Sequence, residues 1–584
     1  MILNQSLDLS SFIAIASTCD VISIDTETNA EDIRDSRGYL TDISMACDPG
    51  HGVTYVTYAP LRRQNLDGSH DSNNLELEDR IKLFEFIESY SGAVVFHNAK
   101  FDLASLKTAG IDYTGKFYCT LLIAHLIDEN YPYSYSLNAC VAAYLDKEEA
   151  KKEELLKKAV IAFGWQRVPM YVMKEYAEYD AILTLHLWFK LKSKFEDENL
   201  EVYWEHKQKF TRVIIAMESY GIKVDLNLCK DQEHTGMSIL KELEYAMRGN
   251  PASSIFLRKT LIDELGLPVV KRSAKTNEPS FDKEAMEIYD AMLERINDPT
   301  AQQVKEFRGW QKSVSSNYIP YQALISPDGR LRPNFKLHGT KTGRMSCEKP
   351  NLQQIPRVSN KPWNGSMKAA FIPEKGYELW EFDYSQLELR LGTAYAKELS
   401  LLQVFKEGRD IFSEMSNDVG LSRQDTKTLV YTTQYGGGVK RISHVFGVSE
   451  SRAAELRQNY FDAYPGFALI AKHAANVCLT KGKIKLWSGR YRHFRFRKDE
   501  AHKAFNSVIQ GGAADIVEHV MVKLFNEVHD GIKARMLLQV HDSVVFELRK
   551  EVVEEFKDRI VKIMTAVEPD FGVVFAVDAH RWGE

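Results

Sequence analysis

Asp383 closes an aromatic-rich run, Tyr377 to Phe382, whose pattern is that of a buried strand. Ser385, Gln386, Glu388 and Arg390 follow at a spacing that suits a helix start. A carboxylate at the end of a core strand is costly unless a cation or a donor meets it. One reading is therefore a metal-binding acid on a rigid platform, and the other is a helix N-cap aspartate. A second acid stands far down the chain. Met536 to Leu548 reads as two apolar strands around a tight turn at His541, Asp542 and Ser543, which puts Asp542 at a hairpin tip. Two aspartates on adjacent strands can hold two divalent ions about 4 Å apart, the arrangement that in-line phosphoryl displacement uses.

A separate group of acids lies near the N-terminus. Val21 to Glu27 alternates like a strand, and residues two apart on a strand share a face, so Asp25 and Glu27 project together. Like charges that close call for a cation; an isolated Asp-x-Glu is more often a solvated strand end. Val94-Val95-Phe96 reads as another strand, after which His97, Asn98 and Asp102 enter a helical stretch. Tyr176 and Asp180 lie four apart, on one helix face. Four acids gathered around two divalent ions can activate water near neutral pH and clamp a phosphate. The charged stretch 147–158 reads as a solvated helix face.

Cations and aromatics form a third pattern. Ser422 to Tyr435 opens with a capping box, Ser422 and Asp425, and Gly436-Gly437-Gly438 ends it. Arg423, Lys427, Tyr431 and Tyr435 recur every four residues, one stripe of two cations and then two aromatics. Such a stripe can grip a triphosphate at one end and stack on sugar and base at the other; an ordinary amphipathic helix is the plain alternative. Lys336 to Ser346 packs cations, hydroxyls and glycines together, where backbone can approach phosphate closely. Lys481 to Lys498 carries eight Lys or Arg among Trp487, Tyr491, His493, Phe494 and Phe496, a composition that suits a nucleic-acid surface. His502 to Asp515 reads as a helix with Asn506 and Gln510 on one face.

The 584 residues leave room for about four domains, and 44% hydrophobic content is ample for real cores. A net charge of −6 excludes a polycation, so nucleic-acid contact must come from local basic faces on an acidic body. Seven cysteines are scattered with no Cys-x-x-Cys pair, which argues against a zinc site or a disulfide framework and fits a reducing compartment. Neither a leader peptide nor a run of about 20 apolar residues is present, so no membrane span is expected.

With these motifs in this order, residues 336 to 584 resemble the family A DNA polymerases, the DNA polymerase I group. Asp383 to Arg390 is similar to that family's first palm motif, Arg423 to Gly436 to its fingers motif, and Gln539 to Asp542 to its last palm motif. Asp25, Glu27, Asp102, Tyr176 and Asp180 resemble the 3′–5′ proofreading exonucleases of the four-carboxylate type. The resemblance implies an α/β and α+β multidomain fold, a ribonuclease H-like exonuclease followed by a right-hand polymerase. Its expected bounds are 1–194 for the exonuclease, 195–312 for the thumb, 313–408 and 500–584 for the palm, and 409–499 for the fingers. It further implies two Mg²⁺ per site, with Mn²⁺ as a substitute, held by Asp383 and Asp542 in one and by Asp25, Glu27, Asp102 and Asp180 in the other.

The other roles are implied in the same way. Tyr176 orients the attacking water. Arg423 and Lys427 bind nucleotide phosphates, Lys427 protonates pyrophosphate, Tyr431 contacts the sugar and Tyr435 packs at the template base. Glu388 blocks a ribose 2′-hydroxyl, while Arg344, Gln510, Asn506 and His541 contact the DNA. The implied partners are primer–template DNA, deoxynucleoside triphosphates and other replication proteins. The implied setting is a cytoplasmic monomer, in a host cytoplasm if the chain is of bacteriophage type, as Tyr431 in place of the common bacterial Phe suggests. Three departures stand out: Phe412 and His502 replace a His and an Arg of the family, and Ser543 replaces an auxiliary Glu. Two rivals are a nuclease whose second half only binds DNA, opposed by Asp383, Lys427 and Asp542, and a single-chain RNA polymerase, opposed by Glu388 and the nuclease motifs.

Overall fold

The protein is described by a computed structural model over residues 3–29, 33–34, 37–65, 67–130, 134–163, 165, 168–273, 275–356, 361–365 and 367–583. Branched and small residues alternating from Val21 onward favour an extended strand with two unlike faces. That strand lies inside a six-stranded sheet of β1 (Asn4–Ser6), β2 (Val21–Thr28), β3 (Leu40–Cys47), β4 (Thr54–Pro60), β5 (Ala93–Phe96) and β6 (Phe117–Cys119), in the order β1-β4-β3-β2-β5-β6. β2, β3 and β4 run antiparallel, and β1, β5 and β6 join parallel to their neighbours.

The helix Met170–Asp197 docks on this sheet through small residues. Ser23 Oγ donates to the Ala181 carbonyl and Ser44 Oγ to the Ala177 carbonyl, both at 2.7 Å. Ser44 is the cross-strand partner of Asp25. This docking therefore fixes the helix turn that carries Tyr176 and Asp180 beside the acids of β2.

The second sheet has four antiparallel strands, in the order Ala534–Val540, Ser543–Arg549, Tyr377–Tyr384, Val577–Arg581. Its central strand is the aromatic run of the sequence, and Leu379, Phe382, Val545 and Phe546 on its strands are buried. The helix Glu201–Tyr220 joins the two halves into one core through Trp204 and Phe210. Its Lys207 makes a buried ion pair at 2.7 Å with Glu518 of the helix Ala504–Glu527. Among the smaller cores of the described residues, one lies among the helices near 257–304 and one among those of 389–509. Among the described residues no helix is long and apolar enough to cross a membrane.

In the basic stretch Lys481–Lys498, four of the eight cations are taken up by ion pairs, while Lys481, Lys485, Arg497 and Lys498 stay exposed. The stretch forms a hairpin, Lys483–Lys485 paired with Tyr491–His493, set against the N-terminal half. Lys483 pairs with Glu198 at 2.6 Å, Arg492 with Glu129 at 2.8 Å, Arg495 with Asp128 at 2.7 Å and Arg490 with Asp515 at 2.8 Å. Those four cations serve to join parts of the chain instead of offering a free surface to DNA.

His493 lies between Glu129 and Glu198, at 2.8 and 3.3 Å. Burial opposes its protonation, but hydrogen bonds and charge from the two glutamates outweigh burial and raise the imidazole from 6.5 to about 9. A raised value in the folded state means that the stabilisation is complete below pH 6.5 and is lost as pH climbs through 9. It is at most about 3 kcal/mol. Urea-unfolding midpoints measured from pH 6 to 10 are expected to fall across that window in the parent, and to fall less in His493→Asn; equal slopes would refute the assignment.

Two candidate active sites

The N-terminal site is built on β2. Asp25 and Glu27 stand opposite Ser44 and Asp42 of β3. Asp102 comes from the first turn of the helix Ala99–Thr108, where Thr26 Oγ1 donates to its Oδ1 at 2.8 Å. Glu27, Asp102, Tyr176 and Asp180 are all buried. Burial, then the charge of Asp102, pushes Asp25 well above the ordinary carboxylate range. Burial and the charges of Asp25 and Asp180 do the same to Glu27, and burial and Asp25 to Asp180. Burial raises Asp102 to about 7. The Tyr176 phenol faces Asp180, Glu27 and Asp25 and is raised by burial and by those charges.

These acids destabilise one another as anions, and a divalent cation removes that conflict. Asp180 Oδ1 is buried without a hydrogen-bond partner, an acceptor left open. Carboxylate oxygens are the donors that magnesium and manganese prefer, so the residues fit such ions. Among the described residues no three acidic, His or Cys side chains close into a ligand cage.

The second site joins residues from three distant segments. Asp383 pairs with Ser543 across the sheet, and the Tyr384 amide donates to the Asp542 carbonyl at 3.4 Å. Asp383 and Asp542 thus stand at the ends of neighbouring strands, which lie roughly 4.8 Å apart. His541, with φ of 55°, turns the chain in the left-handed region and leaves Asp542 half-buried at the tip. The Gln539 amide donates to the His541 carbonyl, and Gln353 donates to Gln539 Oε1 at 2.7 Å, so the segment Asn351–Pro356 props the turn.

Arg344 Nη2 donates to Glu388 Oε1 at 2.6 Å and to Asp542 Oδ1 at 3.0 Å. The guanidinium therefore sits between Glu388 and Asp542, so the hairpin tip already draws positive charge. Burial raises the Glu388 carboxyl against the pull of Arg344, and Asp542 adds to the rise.

The helix Arg423–Gln434 starts under Ser422, whose Oγ accepts from the Asp425 amide at 3.1 Å and donates to the Asp425 carboxylate at 2.7 Å. Its far end is moored at the acids: Gln434 Nε2 donates to the Glu388 carbonyl at 3.1 Å, and the Tyr435 hydroxyl lies beside the Glu388 carboxyl. The Tyr431 and Tyr435 rings stack at 5.9 Å. Arg423 and Lys427 stand exposed farther along.

Two departures now have a physical reading. The Phe412 ring lies 5.9 Å from the Arg423 guanidinium, 5.8 Å from the Lys427 ammonium and 5.8 Å from the Tyr431 ring, so it gathers the stripe by cation–π and ring contact. Ser543 Oγ donates to Glu381 Oε1 at 2.9 Å, and Glu381 also meets Lys368 at 2.8 Å. The side chain standing where a third acid was expected therefore locks a buried glutamate one layer below.

Asn506 and Gln510 lie on the helix Ala504–Glu527, where a Cβ on the adjacent Gly511 would sit 3.2 Å from the Thr342 carbonyl, so that helix abuts the loop of Arg344. Asn506 Oδ1 is buried without a partner, and His541 is exposed. Arg344 and His541 line one crevice beside the Asp542 turn, and Gln510 lies on the helix that abuts the loop of Arg344. The stretch 147–158 is corrected in one respect. It is largely solvated, but Glu153 turns inward beside Asp25 and Asp180. The available signal was a stripe of Ala150, Glu153 and Val160 at helical spacing, which the surrounding lysines and glutamates obscure. That Gln353, Gln434 and Gln539 moor the site is not marked in the sequence, although Gln434 and Gln539 fall within the fingers and last palm motifs.

A family profile for 3′–5′ exonuclease matches residues 1–196, and one for DNA polymerase family A matches residues 226–584. The chain belongs to DNA polymerase family A. This family A member is 30% identical over 417 residues to the thermostable DNA polymerase I of Thermus thermophilus, an alignment covering 67% of this chain and 49% of that protein. Against DNA polymerase I of Rhizobium leguminosarum it is 27% identical over 621 aligned positions, covering 99% and 60%. The chain therefore spans about half the length of the curated relatives it matches. It shares its fold with the POL domain of Pol1 from M. smegmatis, solved in complex with DNA primer-template and dNTP, at a TM-score of 0.82 and 21% identity over 100% of this chain and 99% of that one.

Proposed function

We propose that this family A member extends a primer 3′ end along a DNA template with deoxynucleoside triphosphates, and that its N-terminal site removes nucleotides from the same end. The observation that carries the reading is the meeting of Asp383 and Asp542 at neighbouring strand ends, beside a helix bearing Arg423, Lys427, Tyr431 and Tyr435. In this reading 1–194 is the exonuclease, 195–312 the thumb, 313–408 and 500–584 the palm, and 409–499 the fingers.

Two divalent cations per site, magnesium with manganese as substitute, would supply the charge that activates an attacking oxygen and offsets that of the phosphates. Asp383 and Asp542 would hold them in one site, and Asp25, Glu27, Asp102 and Asp180 in the other. Arg423 and Lys427 hold the triphosphate by charge-assisted hydrogen bonds, and Lys427 gives a proton to the departing pyrophosphate. Glu388, a buried wall beside Tyr435, leaves no room for a ribose 2′-hydroxyl. Arg344 exchanges Asp542 for the primer end, with Gln510, Asn506 and His541 along the same groove. At the other site Tyr176 orients the attacking water.

Tyr431 offers a phenol near the sugar 3′ position, replacing the hydrogen bond that a 3′-hydroxyl supplies. Dideoxynucleotides are therefore expected to be accepted readily. Tyr431→Phe is expected to discriminate against them by roughly 10- to 100-fold, the worth of one hydrogen bond near charge. Single-turnover incorporation of the dideoxy analogue measures this, and an unchanged rate in the variant would sink it.

Primer extension by the parent chain tests the whole reading. Growth with deoxynucleotides and Mg²⁺, and shortening when nucleotides are withheld, are expected. Growth with ribonucleotides would return the RNA polymerase reading, and shortening alone would leave a nuclease with a DNA-binding half.

A further inference from the structure

The helix Lys147–Phe163 buries only Ala150, Glu153 and Val160 among the residues it presents. Two of these are apolar, as an inward stripe requires. The third is a glutamate with 1% of its surface exposed, and its Oε2 has no hydrogen-bond partner. An unpartnered carboxylate oxygen in a protein interior is among the least favourable groups to bury. What surrounds it makes the placement more demanding still. Its charge bears on Asp25 and on Asp180, both acids of the N-terminal site, and Lys157 one helical turn on bears on the same two with the opposite sign.

The helix is held in this attitude by Tyr179, the residue next to Asp180. The Tyr179 hydroxyl donates to Glu149, and Lys152 lies 4.2 Å from the centre of its ring. Both contacts sit on the turn that carries Glu153. A purely structural glutamate at this position would be met by a cation or by donors on both oxygens. Here one oxygen is open, and it belongs to a buried side chain whose charge reaches Asp25 and Asp180, the latter with an open oxygen of its own, Oδ1.

We propose that Glu153 is a fifth carboxylate of the N-terminal cation site, a positioning residue that accepts hydrogen bonds from the waters around the ions, with Lys157 balancing its charge. The inference rests on the nuclease reading above and adds a residue to it. Charge supports the pairing of the two: four carboxylates and two dications are neutral together, and adding one glutamate and one lysine keeps them so. Residues that orient the surroundings of a metal typically change its affinity or the activity by about 10- to 100-fold when lost.

Mn²⁺ binding to the full chain tests it, counted by the electron paramagnetic resonance of free ion in a background of Asp383→Asn and Asp542→Asn, so that only N-terminal ions register. Glu153→Gln is expected to weaken Mn²⁺ binding roughly tenfold or more. Its rate of primer shortening should fall at low Mn²⁺ and recover at high Mn²⁺. Its metal-free thermal midpoint should be no lower than the parent's, because a buried like charge has been removed. Glu153→Asp should bind Mn²⁺ more tightly than Glu153→Gln. An affinity in Glu153→Gln within twofold of the parent, while Asp25→Ala loses ions, would overturn the role of Glu153 and leave the nuclease reading standing. An Asp25→Ala protein that binds Mn²⁺ as the parent does would overturn both.

Discussion

Asp383→Ala is expected to shorten primers and not to lengthen them. Extension is expected to fall roughly a thousandfold or more, since removing one of two cation-bridging carboxylates forfeits several kcal/mol of charge stabilisation. The fold tolerates the change. The strand Tyr377–Tyr384 is paired on both sides, to Ser543–Arg549 and to Val577–Arg581, and Asp383 is only half-buried at its end. Shortening should persist at the parent rate, because the N-terminal acids are built on a different sheet and share no residue with this site. Asp25→Ala is expected to give the mirror result, extension without shortening. Labelled primers resolved with and without deoxynucleotides show both. An Asp383→Ala protein that extends within tenfold of the parent would mean that Asp383 is only a strand-end residue.

The second large effect is at Lys427. It stands exposed on the helix Arg423–Gln434, with the Phe412 ring at 5.8 Å, and in the proposed reading it both holds phosphate and protonates the leaving group. Loss of a general acid costs about 10²- to 10⁴-fold in rate, so Lys427→Met should lie in that range. Lys427→Arg separates the two duties. A guanidinium keeps the charge and the hydrogen bonds but does not release a proton near neutral pH. Lys427→Arg should therefore recover nucleotide affinity while its single-turnover rate stays low. Recovery of the rate as well would show that charge alone is needed.

Much of both sites was legible because their acids sit in local patterns. An aromatic strand that ends on Asp383, a hairpin around Asp542, an Asp-x-Glu on an alternating strand and a cation–aromatic stripe are each short enough to read from neighbours in sequence. What the sequence hid depends on pairing across long separations. Arg344 meets Asp542 across 198 positions, and His493 meets Glu129 across 364. Basic residues at 483, 492 and 495 look like a nucleic-acid surface until the acids of the other half are brought beside them. Glu153 escaped for the opposite reason: in a helix crowded with Lys and Glu, composition says solvent, and only packing reveals which single glutamate faces inward. Phe412 and Ser543 read as losses in the sequence, yet each gathers or locks neighbouring side chains in the fold.

The central claim is that Asp383 and Asp542 share a pair of divalent ions. Crystals grown with primer–template, a non-hydrolysable deoxynucleotide and Mn²⁺, read by anomalous scattering, test it most directly. Two peaks about 4 Å apart, touched by both carboxylates and with Arg344 withdrawn from Asp542, are predicted. Peaks that engage only one of the two aspartates, or none beside a bound nucleotide, would contradict it.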